Sequence, residues 1–174
     1  MMRAVLQAIE ADISTLALDA VVNAANEPLM MGGGVDGAIR RKAGLEMENE
    51  IRKIGRCPTG QAVITRGHRL PARFVIHTVA PMWADGGASD EEKERLLSEC
   101  YRSSLALAEK NGISSIAFPC LGTGIYGWPS ERAAEIAFST VTSYLATTTA
   151  FERVVFCCFN REDHERYEAM IQNI

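Results

Sequence analysis

The sequence lacks the cysteine and histidine patterns that would indicate a metal centre or a disulfide framework. Its three histidines are scattered without zinc-ligand spacing, and no CxxC pair occurs. The cysteine count is odd, and the spacing is not that of a small disulfide-stabilised domain. The cysteines are Cys57, Cys100, Cys120, Cys157 and Cys158. We therefore expect reduced thiols in a cytoplasmic protein, with no metal and no other cofactor.

Long apolar runs and an excess of positive charge are also missing. No stretch approaches the ~18 apolar residues of a membrane span, and the N-terminal MMRAVLQAIEAD lacks the apolar core and cleavage site of a signal peptide. The formal net charge is -4, whereas domains that bind nucleic acid through its phosphates are usually basic. We expect no membrane association and no nucleic-acid partner. A nucleotide held by uncharged backbone amides is compatible with this composition.

Two glycine-rich segments are present, although neither is a Walker A loop because no glycine run ends in GK[ST]. GGGVDG at 32–37 and GTGIYG at 122–127 both match G-x-G-x-x-G, which suggests a phosphate ligand. A Rossmann dehydrogenase carries this motif directly after its first strand. Here the eight residues AANEPLMM separate a strand from the first glycines, and the acids that follow lie within a predicted helix. The Rossmann interpretation therefore fits poorly.

The 174 residues, 47% of them hydrophobic, indicate one globular domain spanning 1–174. Mostly continuous apolar runs predict strands that are covered on both faces. The predicted strands are 3–9, 20–24, 61–65, 73–79, 113–118 and 153–158. Helical patterns cover 35–43, 45–54, 90–111, 129–147 and 161–173, with N-terminal capping signals at Ser89 and Asn160 and with Pro129 in the first helical turn. Because no helix separates the third and fourth strands, we predict a three-layer α/β/α sandwich with a mixed six-stranded sheet.

Four polar residues stand near the carboxyl ends of these strands, where ligands bind in open α/β sheets. Asp12 either caps a short turn or accepts a hydrogen bond from an adenine amino group. Asn23 lies inside an apolar run, so we expect it to be buried and to tie loops together. Asn26 can hold a sugar hydroxyl. Asp36 would repel a phosphate, so it is either a favourable helix N-terminal charge or an acceptor for ribose hydroxyls or a catalytic water.

Three aromatic residues end strands or lie at the second glycine segment. Phe159 follows the last predicted strand, where it belongs either to the core or to a stacking surface for a nucleobase. Tyr126 and Trp128 lie in and just after GTGIYG. Large aromatic side chains in a turn favour walls of a ligand site over core positions.

Taken together, these segments resemble the macrodomain family. VVNAANEPLMMGGGVDGAIRRKAG is similar to its first signature and PCLGTGIYGWP to its second. CPTGQAVIT and LPARFVIHTVAP resemble the branch that removes O-acyl or protein-linked ADP-ribose. The similarity extends over about residues 3 to 172, and NAAN followed by GGGVDG is its most specific part.

The resemblance implies a cleft for ADP-ribose and a metal-independent hydrolase without a cofactor. Its substrates would be O-acetyl-ADP-ribose or ADP-ribose esterified to an acidic protein side chain. Asp36 and Asn26 match the catalytic pair around the distal ribose. The implied substrate-binding residues are Asp12, Ile13 and Phe159 at the adenine, and Gly33, Gly34, Val35, Thr123, Gly124, Ile125 and Tyr126 at the diphosphate and distal ribose.

Three positions depart from the family pattern. Arg40 replaces a frequent histidine, which would change the rim of the distal site, and Ala80 replaces a frequent glycine. Gly122 replaces a frequent serine, which would loosen the second loop. Two alternatives to the hydrolase stay open at this point: a binding module for ADP-ribose without turnover, and, less favoured, an RNA-binding or regulatory protein.

Overall fold

The computed structural model describes residues 4–84 and 87–174. As predicted, α-helices separate successive strands except between the third and fourth strands and between the first and second, where only a 3-10 turn (Ile13–Thr15) lies. The strands are β1 (Val5–Glu10), β2 (Ala20–Ala24), β3 (Ala62–Arg66), β4 (Phe74–Thr78), β5 (Ser115–Phe118) and β6 (Arg153–Cys158). The helices are α1 (Gly34–Ala43), α2 (Leu45–Ile54), α3 (Asp90–Lys110), α4 (Ser130–Leu145) and α5 (Arg161–Gln172).

The six strands form one mixed sheet in the order β1-β6-β5-β2-β4-β3. Neighbouring strands run parallel except β3, which pairs antiparallel with β4. This confirms the mixed sheet that the missing helix between the third and fourth strands predicts. The bounds of β2 and β6 agree with the predicted bounds. The predicted start of the first strand at residue 3 lies outside the described residues, and β1 begins at Val5.

Helices cover both faces of the sheet, and the two adjacent residues Val21 and Val22 pack against different helices. Val21 of β2 packs with Ile39 of α1 and Met47 of α2. Val22 belongs to the opposite core, which includes Leu97 of α3 and further side chains from α4 and α5. Successive strand residues point to opposite faces, so a run such as β2, in which Ala20 to Asn23 are all buried, requires a helix layer on each side.

Side-chain caps begin two helices where the sequence indicated them. The Ser89 hydroxyl accepts a hydrogen bond from the Glu92 N–H at 3.2 Å, and Asn160 Oδ1 accepts one from the Asp163 N–H at 2.8 Å. Pro129 was predicted inside the first turn of its helix, but it is the N-cap residue and α4 begins at Ser130. Its φ of -58° is compatible with either position, which explains the one-residue error.

The parallel strands β1, β6, β5, β2 and β4 end at the same edge of the sheet. Loops that follow them therefore meet there, which is where open α/β sheets bind ligands. Within residues 4–84 and 87–174, no helix is both long and apolar enough to cross a membrane.

Candidate functional site

A cleft of about 470 Å³ opens at this edge, between the loops that follow β2 and β5. We call residues 25–33 the first glycine loop and residues 119–128 the second glycine loop. Both loops, the start of α1 and Ala80 contribute to the walls. The lining residues are Ala24, Ala25, Asn26, Gly32, Gly33, Gly34, Val35, Asp36, Ala80, Pro119, Cys120, Gly122, Gly124, Ile125 and Tyr126.

The main chain of both loops is accessible from the cleft. A Cβ atom added at Gly33, Gly34 or Gly124 would meet no heavy atom within 4 Å. Gly33 is also the N-cap of α1, and no side chain caps that helix. A helix N-terminus presents backbone N–H groups and partial positive charge. The bare glycines and the helix end together suit a phosphate group.

The second glycine loop is held by its own backbone and by one buried ring. The Trp128 N–H donates to the Gly122 carbonyl at 3.0 Å, and the Gly127 N–H donates to the Gly124 carbonyl at 3.1 Å. Gly122 has φ +87°, and an added Cβ would lie 2.6 Å from the Trp128 ring. The expectation that glycine loosens this loop is therefore wrong, because glycine is what lets the loop close against the tryptophan.

Of the two aromatic residues predicted to form walls of a ligand site, one lines the cleft and the other lies in the core. Tyr126 lines the cleft, as expected, and burial raises the pKa of its phenol, which stays neutral. Trp128 is only 3% exposed, donates its Nε1–H to the Pro81 carbonyl at 2.8 Å and packs against Trp83. It is a core residue that supports the wall from behind, so the prediction was wrong for this position.

Asp36 lies in the first turn of α1 with its carboxylate buried at the cleft wall. Its Oδ2 accepts a hydrogen bond from the Gly32 N–H at 2.7 Å, and its Oδ1 accepts one from Asn23 Nδ2, also at 2.7 Å. The Arg40 guanidinium lies 3.6 Å from Oδ1. These three partners balance the negative charge, which explains how a carboxylate can stand beside a phosphate-accepting loop.

Asn23 extends this arrangement into the core. Its Nδ2 also contacts His77 Nδ1 at 3.0 Å, and His77 Nε2 contacts the Thr65 hydroxyl at 3.0 Å. Burial, with the nearby Arg40 charge, lowers the pKa of His77 to about 3, so its ring is neutral. Neutral His77 accepts from Asn23 through Nδ1 and therefore carries its proton on Nε2.

The orientation of the Asn23 amide follows from these contacts. In the described residues, its Oδ1 is the single buried side-chain polar atom without a hydrogen-bond partner. Exchanging Oδ1 with Nδ2 would put an oxygen 2.7 Å from the Asp36 carboxylate oxygen, with no hydrogen between them. Leaving Oδ1 without a partner therefore costs less free energy than the flipped amide, in which two oxygens would repel each other. Asn23 is buried and ties the strand to α1, as its place in an apolar run indicated.

Arg40 does not lie on the rim, where the sequence placed it. It is 5% exposed and forms a paired contact with Glu48 of α2, in which Nε donates at 3.0 Å and Nη2 at 2.6 Å. The guanidinium thus bridges α2 and the Asp36 carboxylate of α1. The prediction was wrong because the i,i+4 spacing from Asp36 turns Arg40 toward the carboxylate.

Asn26 folds onto its own loop while it lines the cleft. Its Oδ1 accepts from the Met30 N–H at 2.9 Å and its Nδ2 donates to the Met30 carbonyl at 3.0 Å. A Cβ added at Gly32 would lie 3.7 Å from Asp36 Oδ2 and 3.9 Å from Asn26 Nδ2. The structure therefore brings Asp36 and Asn26, the predicted pair, together at Gly32. The bond to the Met30 carbonyl uses one of the two Nδ2 hydrogens of Asn26 and leaves the second for another partner.

The residues expected at an adenine lie outside the lining of this cleft, along the same sheet edge. Asp12 caps a 3-10 turn (Ile13–Thr15) and accepts both the Ser14 N–H and the Ser14 hydroxyl on Oδ1, contacts that lower its pKa. Phe159 is 86% exposed, so it is not a core residue. The two follow Glu10 and Cys158, which are paired in adjacent parallel strands. Ile13 is buried below them.

Thr123 also lies outside the lining. Its hydroxyl donates to the Cys120 carbonyl at 2.9 Å, which stabilises the second glycine loop. The remaining predicted substrate-binding residues of both loops contribute to the cleft walls. These are Gly33, Gly34, Val35, Gly124, Ile125 and Tyr126.

Sequence reasoning did not connect His77, Glu48 and Cys120 with the site. A signal existed for His77: it interrupts an apolar strand, and it lies opposite Asn23 in the β2–β4 register. Nothing in the sequence distinguished Glu48 from an ordinary solvent-exposed helix carboxylate, or Cys120 from an ordinary buried thiol. In the described ranges, no group of three or more histidine, cysteine, aspartate or glutamate side chains is arranged to hold a metal ion.

The fold defines an α/β protein whose cleft is built from two glycine loops beside one buried carboxylate. Comparison with known proteins identifies the group: residues 22–137 match the macro domain model, and the chain belongs to this family. This confirms the resemblance of the two signatures.

Similar proteins cover nearly the whole chain. A macro domain-containing protein of Chlorobaculum tepidum is 52% identical over 94% of this chain and 93% of its own length. A protein of Escherichia fergusonii named O-acetyl-ADP-ribose deacetylase is 45% identical over 98% and 97%. A mutant of the Oceanobacillus iheyensis macrodomain, solved with ADP-ribose, superimposes with a TM-score of 0.88 at 36% identity, covering 98% and 94%.

Proposed function

We propose that this protein binds ADP-ribose and hydrolyses esters at its distal ribose. O-Acetyl-ADP-ribose is the simplest such substrate, and mono-ADP-ribose on acidic protein side chains has the same linkage. The observation that carries the proposal is the Asp36 carboxylate, buried at the cleft wall with the Asn26 amide near it at Gly32. The relative named O-acetyl-ADP-ribose deacetylase supports this choice of chemistry.

In the proposed complex, the diphosphate lies against the bare glycines of the two loops and the α1 N-terminus. Uncharged backbone donors in a partly enclosed site can hold such an anion without a basic surface. The adenine extends toward the edge where Asp12 and exposed Phe159 follow β1 and β6. Both Ser14 contacts of Asp12 end on Oδ1, so capping and adenine recognition do not compete for the same oxygen.

The reaction proceeds by addition of water to the ester carbonyl. Asp36 orients the water and accepts its proton, and Asn26 positions the ribose through its remaining amide hydrogen. The bond between the carbonyl carbon and the ribose oxygen then breaks. The ribose oxygen takes a proton, and the carboxylic acid leaves and ionises. The diphosphate of the substrate offers a second acceptor for the proton of the water.

The Asp36 contacts favour this role over simple helix capping. A carboxylate that only favours the helix dipole needs no buried partners, yet Asp36 is fixed by Asn23, Gly32 and the Arg40–Glu48 pair. Such fixation is what a group needs if it is to hold one water in one direction. A binding module without turnover would require the glycine loops but not this arrangement.

The test is incubation with O-acetyl-ADP-ribose, with acetate and ADP-ribose followed by mass spectrometry and ADP-ribose affinity measured by calorimetry. We expect stoichiometric release of acetate and ADP-ribose above the uncatalysed rate. Binding of ADP-ribose without acetate release would contradict hydrolysis of this ester and favour a binding module. Absence of both would reject the proposed ligand altogether.

A further inference from the structure

Several exposed apolar side chains lie on the chain segments that border the cleft. Among the described residues, those that are large and exposed are Val5, Met30, Met31, Leu45, Met82, Ile125, Phe159 and Ile174. Four of these, Met30, Met31, Met82 and Ile125, lie on the first glycine loop, the segment after β4 and the second glycine loop. We call these four residues the apolar rim. Such clustering beside a ligand cleft marks a binding surface rather than scattered exposure.

The first part of the apolar rim is attached directly to the proposed reaction centre. The Met30 backbone N–H and carbonyl are both bonded to the Asn26 side chain. Met31 precedes Gly32, whose N–H donates to Asp36. The Met30 and Met31 side chains are 65% and 51% exposed. These two methionines therefore directly precede the glycine that contacts the Asp36 carboxylate.

The other part of the rim comes from two segments that are bonded to each other. The Trp83 N–H donates to the Tyr126 carbonyl at 2.9 Å. Met82 precedes Trp83 and Ile125 precedes Tyr126, so this bond connects the two segments that carry them. Lys93 of α3 donates to the Trp83 carbonyl at 2.7 Å and fixes the segment from outside. Met82 and Ile125 are 50% and 96% exposed. Ile125 also lines the cleft, so the rim is continuous with it.

The chemistry of the rim suits an alkyl chain better than a polypeptide. Methionine side chains are flexible and adapt to apolar groups of variable shape. A peptide would need backbone partners, but the Met30 N–H and carbonyl are occupied by Asn26 and the Trp83 N–H by Tyr126. Asp36 is the only charged side chain that lines the cleft in the described structure, and it is buried.

We propose that the apolar rim is a subsite for the acyl group, so that esters of ADP-ribose with unbranched chains longer than acetyl are better substrates. This inference rests on the proposed ester hydrolysis and names its preferred leaving group. Complete burial of one methylene favours binding by about fourfold. Because an acyl chain lying on this exposed rim is buried on one side only, we expect about a twofold rise in kcat/KM per added methylene, and about 16-fold over the four methylenes from acetyl to hexanoyl.

The experiment measures kcat/KM for the acetyl, butyryl and hexanoyl esters of ADP-ribose with the full chain. Two variants address opposite sides of the mouth: Met30→Ser combined with Met31→Ser, and Met82→Ser. Leu45→Ser is the matched control, because Leu45 is 77% exposed but begins α2 and belongs to none of the three segments that carry the apolar rim. We expect the rise with chain length to flatten in both rim variants, acetyl hydrolysis to persist, and the control to behave as wild type.

The outcomes separate this inference from the proposed function. Hydrolysis of the acetyl ester without a rise across the series would overturn the acyl subsite and leave the hydrolase intact. A rise that persists in both rim variants would place the acyl chain elsewhere and equally reject the assignment. An ADP-ribosylated protein serves as a fourth substrate, and a loss of activity confined to it in the rim variants would mean that the rim binds polypeptide and not acyl groups. Absence of any ester hydrolysis would reject the proposed function itself.

Discussion

The two glycine loops share the G-x-G-x-x-G spacing, yet they are built by different means. The first loop is surrounded by side-chain contacts: Asn26 bonds the main chain of Met30, and Asp36 bonds that of Gly32. The second loop is held by main-chain bonds within itself and by the Trp128 ring. Under the proposed function, the first loop supplies chemistry and the second supplies only shape and backbone donors.

The comparison shows why a motif match carries little mechanistic information. Glycines allow a phosphate to approach the main chain in either loop. What differs is the network behind them, which runs from Asp36 through Asn23 to His77 and includes Arg40 and Glu48. Changes in the first loop should therefore alter turnover more than affinity, whereas changes in the second should alter affinity or stability.

The largest expected effect is on turnover, from Asp36→Asn. The amide keeps an acceptor for the Gly32 N–H but cannot accept a proton from water, so we expect kcat for O-acetyl-ADP-ribose to fall by about 10³-fold. Calorimetry should show ADP-ribose affinity within about threefold of wild type. Asp12→Asn is the control, with weaker binding and unchanged kcat. Wild-type turnover in Asp36→Asn would remove this carboxylate from the mechanism.

The second effect is on binding, from Gly124→Glu. The new side chain carries negative charge into the space where we place the diphosphate, so ADP-ribose affinity should fall by about 100-fold or more. Gly124→Gln separates bulk from charge, and Gly124→Ala adds only a Cβ, which meets nothing within 4 Å. Calorimetry should show ADP-ribose affinity highest in Gly124→Ala, lower in Gly124→Gln and lowest in Gly124→Glu. Equal affinities would mean that the second loop does not hold the diphosphate.

The third effect is on stability, from Gly122→Ala. The backbone at φ +87° and a Cβ 2.6 Å from the Trp128 ring should together cost about 2 kcal/mol. Gly127→Ala is matched in the same loop, since it has φ +76° but no atom within 4 Å of the added Cβ. It should cost about 1 kcal/mol, the backbone part alone. Urea unfolding of both variants measures the difference, and equal losses would show that Trp128 packing does not restrict Gly122.

Local patterns predicted most of the fold and the position of the site. Buried runs such as AVVNA identified strands, and the absence of a helix before β4 identified the antiparallel edge. The glycine loops and the Asp36–Asn26 pair could be predicted because they are short motifs at strand ends. The burial of Trp128 could not, because it depends on Pro81, which is distant in sequence. The burial of Arg40 could not, because it depends on how α2 packs against α1 and brings Glu48 to the guanidinium.

The smallest effect concerns His77 and the pH dependence of stability. Its folded pKa of about 3 lies below the unfolded value of about 6.5, so between these values the unfolded state binds one more proton. The free energy of unfolding therefore falls as pH falls through this window, by about 1.4 kcal/mol between pH 7.5 and 5.5 from this residue. His77→Gln has no such proton, although the packing change will lower its stability at every pH. Urea unfolding at pH 7.5 and 5.5 measures how much stability each protein loses between the two pH values. We expect this loss to be about 1.4 kcal/mol smaller in His77→Gln than in the wild type. Equal losses in the two proteins would mean that His77 is protonated inside the fold.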